Sequence, residues 1–103
     1  MNYLVKSFSI FLLAFLLFGG CAKDDSVKVG FLMHALDKER WENDRDFFVE
    51  KVREFGGTVE VRIADNNAEK QLQQAKELLV NGVDVLVVVP VDQFAAAQIV
   101  EDA

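Results

Sequence analysis

From residue 27 onward, short apolar runs alternate with longer stretches in which apolar residues recur at threes, fours and sevens. Residues 27–33 (VKVGFLM) carry β-branched positions and one charge, Lys28, and predict a strand. Residues 41–55 predict a helix, because Trp41, Phe48, Val52 and Phe55 fall on one stripe and Gly56-Gly57 supplies a left-handed end. Residues 58–64 (TVEVRIA) alternate apolar and charged, the mark of a half-exposed strand near a sheet edge. The helical period returns over residues 68–81 through Leu72, Ala75, Leu78 and Leu79, and Asn81-Gly82 stops it. Residues 83–89 (VDVLVVV) are almost continuously apolar, as a central parallel strand covered on both faces requires, and they predict the clearest core strand. Pro90 closes that strand by withholding a ladder donor. Asp92 is placed to cap a third helix over residues 93–102, which holds Phe94, Ile99 and Val100.

The resulting order is βαβαβα, with strands starting near residues 27, 58 and 83. Right-handed crossovers make the three strands parallel. For helices to cover both faces, the third strand must lie on the other side of the first, so the expected spatial order is 2-1-3. The fold class is α/β, a partial doubly wound parallel sheet, and three strands are few enough to read residues 27–103 as the front portion of a larger domain.

The chain opens differently. Residues 1–20 hold one charge, Lys6, and an uncharged run from Ser7 to Gly20, a secretory signal pattern. The apolar heart between Phe8 and Phe18 falls short of the roughly 20 residues that a spanning helix needs. Cys21, the one cysteine, follows Phe18-Gly19-Gly20 and resembles the lipidated cysteine of bacterial lipoprotein signals, with Phe in the usual aliphatic slot. That resemblance implies cleavage before Cys21, acylation there and attachment to a membrane, since two or more chains at about 0.8 kcal/mol per buried methylene hold stably. Residues 21–26 then form a polar tether. An ordinary signal peptide cut nearby, leaving a free thiol, is the alternative.

Beyond residue 20 the chain sets all 17 of its acidic side chains against one fewer than its 11 basic ones, with no basic cluster. A nucleic-acid partner is disfavoured, because phosphate binding needs a basic patch. One cysteine allows no cysteine-rich metal site, His34 has no second histidine or cysteine to complete one, and no cofactor is expected.

In open parallel sheets, ligands bind beyond the carboxyl ends of the strands, beside the point where strand order reverses. That rule selects residues 34–41 (HALDKERW), 65–67 (DNN) and 90–93 (PVDQ). None carries a glycine-rich phosphate loop. No nucleophile, base and orienting group can be assembled, so an enzyme is not expected.

Three blocks are specific: Glu39-Arg40-Trp41, Asp44-Arg45-Asp46, and Asn81-Gly82-Val83-Asp84-Val85-Leu86 before Pro90. Through them residues 27–103 resemble the start of the bacterial D-xylose-binding proteins, periplasmic sugar receptors of ABC importers related to ribose- and galactose-binding proteins. The resemblance implies the first part of a periplasmic-binding-protein type I domain. It also implies a monosaccharide ligand, D-xylose first among them, and a membrane permease as partner. Trp41 can offer a plane to the C–H face of a pyranose and Arg40 a fork of donors to its hydroxyls, and the resemblance places both at the sugar. His34, Asn66 and Asp92 are further ligand-binding candidates. Each residue also has a plainer role: Trp41 as a core anchor in line with Phe48, Arg40 as a solvated charge, Asn66 as a turn residue, Asp92 as a helix cap and His34 as a structural residue at a strand end. The alternative functions are a sugar-sensing receptor domain feeding a signalling partner and a receiver-like signalling domain. The latter is disfavoured because Asp37 lacks a neighbouring acid.

Overall fold

The computed structural model describes residues 25–103. The signal segment 1–20, Cys21 and all but the last two residues of the 21–26 tether lie outside the described residues. Six elements follow one another: β1 (Lys28–Met33), α1 (Glu39–Glu54), β2 (Thr58–Ile63), α2 (Ala68–Val80), β3 (Val85–Val88) and α3 (Gln93–Asp102). The strands are all parallel in the order β2-β1-β3, the doubly wound start that the periodicity predicts. Lys28 pairs with Thr58 and Met33 with Ile63 on one side of β1, while Val29 pairs with Val85 and Leu32 with Val88 on the other. Among the described residues, no helix is long and apolar enough to cross a membrane.

Alternation along β1 sends Gly30 and Leu32 to one face and Phe31 to the other. On the first face, Leu32 joins Ala75 and Leu78 of α2 and Ile99 of α3 in the buried core, with Leu72, Val83, Leu86 and Val88 packed around them. Gly30 admits this close approach: a Cβ there would stand 2.8 Å from Leu78 Cδ1 and 3.0 Å from Leu86 Cδ2. On the second face Phe31 meets Phe48 of α1, with ring centroids 4.5 Å apart.

Both α1 and α2 end in the same hydrogen-bonded turn. Gly56 takes φ +84° and donates to Arg53 O at 2.9 Å, while Gly57 donates to Val52 O at 3.0 Å. Gly82 takes φ +80° and donates to Leu79 O at 3.1 Å, while Val83 donates to Leu78 O at 3.3 Å. These are Schellman ends, which satisfy carbonyls that the helix leaves unpaired.

Two expectations need correction. Phe55 does not extend the apolar stripe of α1: it is the C-cap residue and 89% exposed, because the helix has already turned off towards Gly56. The most buried strand is β1 rather than β3. β1 has a neighbour on each side, whereas β3 pairs only with β1 among the described residues. β3 is also shorter than its apolar run, since Asp84 is held differently: its Oδ2 accepts Lys28 N–H at 2.8 Å and its own N–H donates to Lys28 O at 2.7 Å.

Candidate functional site

The carboxyl ends of the three strands lie along one rim, and the loops that leave it together with the first turn of α1 carry all five ligand-binding candidates. His34 directly follows β1. Its carbonyl accepts Asn66 N–H at 2.7 Å, and Met33 O accepts Ala64 N–H at 2.9 Å, so the loops after β1 and β2 are stitched together. Trp41, in the first turn of α1, meets the His34 ring edge to face at 4.6 Å between centroids and 85° between planes. The Arg40 guanidinium lies 5.2 Å from the indole centroid, within range of a cation–π contact. Its side chain is 78% exposed and reaches Asp44 at 3.7 Å, a loose pairing that leaves its donors open to a ligand.

The turn after β2 needs two successive left-handed residues, Asp65 at φ +53° and Asn66 at φ +59°. Asp and Asn tolerate that region better than other side chains. The Asp65 carboxylate accepts from Lys70 Nζ at 2.6 Å, and Asn67 caps α2 by accepting Lys70 N–H at 2.9 Å. Asp92 caps α3 by accepting Ala95 N–H through Oδ1 at 2.7 Å, the plainer of its two sequence readings. The structure thus gathers His34, Arg40 and Trp41 into one contact set and joins Asn66 to it through the backbone. Asp92 sits on the third loop of the same rim, occupied by its helix. Asp44 pairs with Arg40, and Arg45 with Asp46 at 2.9 Å, as solvent-side ion pairs on α1.

Two residues escaped the sequence reading. Gln71 and Gln74 of α2 are buried among apolar neighbours. Gln71 donates through Nε2 to Val89 O at 3.0 Å and accepts Val91 N–H through Oε1 at 2.9 Å. Gln74 donates to Ile63 O at 2.9 Å, while its Oε1 and His34 Nδ1 are buried without a partner. The signal was present in the spacing, since Gln71, Ala75 and Leu78 stand four and three apart on the core stripe.

The opposite rim carries a hollow of about 410 Å3 lined by Val27, Phe48, Val52 and Phe55 together with Asp25, Ser26 and Lys51. It lacks an indole and a guanidinium, whereas the carboxyl rim offers an aromatic plane, a guanidinium fork and amide and carboxylate groups. Among the described residues, no group of three or more His, Cys, Asp or Glu is placed to hold a metal ion.

An open parallel sheet, helices on both faces and a polar, aromatic carboxyl rim make a doubly wound α/β slab, an architecture in which ligands sit beyond the carboxyl ends of the strands. Residues 29–103 match the model of the periplasmic binding protein domain, and the chain belongs to that family. It is 39% identical over 77 residues to the D-xylose-binding periplasmic protein of Escherichia coli K12, a match covering 75% of this chain and 23% of the relative. The chain therefore spans about a quarter of the length of the curated relatives it matches. A carbohydrate transporter solute-binding protein from Chloroflexus aurantiacus, solved with D-glucose, superposes with a TM-score of 0.69 at 29% identity, covering 77% of this chain and 23% of that one. The Caulobacter myo-inositol-binding protein, solved with myo-inositol, gives 0.70 at 25% identity, covering 82% of this chain and 28% of the other. The fold is the start of a periplasmic-binding-protein type I domain, and these relatives are solute-binding transport proteins rather than enzymes.

Proposed function

We propose that residues 27–103 form the first part of an exported sugar receptor that hands a monosaccharide, D-xylose first among candidates, to the permease of an ABC importer. In this reading residues 1–20 are a lipoprotein signal, Cys21 is acylated and residues 21–26 tether the domain to a membrane. The observation that carries the sugar assignment is the cluster at the end of β1: Trp41 packed on His34 with the exposed Arg40 guanidinium beside the indole. An indole offers a plane for the C–H face of a pyranose, and a guanidinium fork directs two donors at neighbouring hydroxyls. Asn66 adds an amide from the adjoining turn, and the uncapped oxygen of Asp92 adds an acceptor from the third loop.

The relatives divide over ligand, with xylose, glucose and myo-inositol named among them, and all three are cyclic polyols of similar breadth. D-xylose is favoured by the similarity that includes Glu39-Arg40-Trp41 and Asp44-Arg45-Asp46. Calorimetry on the full gene product with D-xylose, D-ribose, D-glucose and myo-inositol tests the assignment. Tightest binding of D-xylose supports it, and absence of heat with all four ends it. The anchor is tested separately by labelled palmitate: incorporation that vanishes in Cys21→Ser supports acylation, and incorporation that persists removes it.

A further inference from the structure

We propose that Gln71 is a positioning residue for the sugar-facing rim, fixing from beneath the loop that delivers Asp92. The inference rests on the receptor reading above. Gln71 is fully buried on the core side of α2, an unusual place for a primary amide. Its two bonds reach Val89 O and Val91 N–H, 18 and 20 residues away. Between those two groups stands Pro90, which has no N–H to contribute. One side chain therefore satisfies the carbonyl and the amide on either side of the proline.

The other hydrogen bonds of this loop among the described residues lie at its ends. Val89 N–H donates to Leu32 O at 2.8 Å, the last bond to β1, and Asp92 closes on Ala95 N–H at 2.7 Å. The segment between these points is tied down by Gln71. Glutamine suits the task because its planar amide presents a donor and an acceptor side by side, and asparagine is one methylene shorter. Gln74, one turn on, makes a single comparable bond to the end of β2 and serves as an internal control.

The test uses the full gene product as wild type, Gln71→Met, Gln71→Glu and Gln74→Met. Methionine keeps the length of the side chain and removes both bonds, whereas glutamate, held as the neutral acid by burial, keeps a carbonyl acceptor for Val91 N–H and a hydroxyl donor for Val89 O. Amide hydrogen exchange at Val91 is read beside that of Phe31 and Val87 inside the strands, and calorimetry gives sugar affinity. In Gln71→Met, Val91 exchanges about tenfold faster or more while the strand amides hold their wild-type rates. Sugar affinity falls about tenfold, the equivalent of one net hydrogen bond. Gln71→Glu recovers part of both effects, and Gln74→Met leaves Val91 unchanged.

Wild-type exchange at Val91 in folded Gln71→Met overturns the proposal. So does faster Val91 exchange with unaltered sugar affinity, because the residue is then only a clasp. Should Gln71→Met fail to fold, Gln71→Glu decides by the same two readings. If the wild type binds no sugar, the receptor reading fails, and the Val91 rate still reports whether Gln71 holds the loop.

Discussion

The two rims of the sheet are built by different means. At the amino rim Gly56 and Gly82 at positive φ close α1 and α2 with bonds inside their own last turns, and Asp84 ties the start of β1 through Lys28 N–H and O. At the carboxyl rim the loops are held from a distance, by Asn66 N–H on His34 O and by Gln71 on Val89 and Val91. A rim that turns on glycines presents no side chain at those two positions. A rim braced from below leaves the indole, guanidinium and Asx groups facing outward on a fixed backbone, the arrangement that binding loops on a rigid scaffold require.

The contrast makes stability and binding separable, and substitutions in the full gene product expose the separation. Leu78→Ala, in the core between β1 and α2, lowers unfolding free energy by about 3 kcal/mol in a urea titration, since a fully buried leucine is lost and a cavity remains. Gly56→Ala costs about 1 kcal/mol through the left-handed φ while leaving sugar affinity untouched. A change in sugar affinity there would join the two rims and break the comparison. Asn67→Ala removes the α2 cap and also costs about 1 kcal/mol, measured by thermal unfolding. Asp44→Ala breaks an exposed, loose pair with Arg40 and shifts stability by less than about 0.5 kcal/mol.

The same contrast explains what could be read from the sequence. Strand order, helix spans and both glycine ends were legible, because each depends on periodicity or on a residue type within a few positions. Asp92 as a cap and the half-exposed β2 were legible for the same reason. The burial of β1 over β3 was not, since it depends on which strands have neighbours rather than on apolar content. Phe55 misled because its spacing fits the helical stripe one residue past the point where the helix ends. At the candidate site, the residue types and the rim were legible from topology, and the edge-on packing of His34 with Trp41 was not. The burial of Gln71 could be read from its place on the apolar stripe, but its partners Val89 O and Val91 N–H could not, because only the folded loop brings them near it.

Placing the ligand on one rim or the other is the sharpest test. Backbone amide shifts of the full gene product, recorded as D-xylose is added, should move at residues 34–41, 65–67, 89, 91 and 92 and stay fixed at residues 55–57 and 82–84. Shifts concentrated at the Gly56-Gly57 and Gly82 turns, with the His34 and Trp41 amides unmoved, would contradict a sugar held on the carboxyl rim.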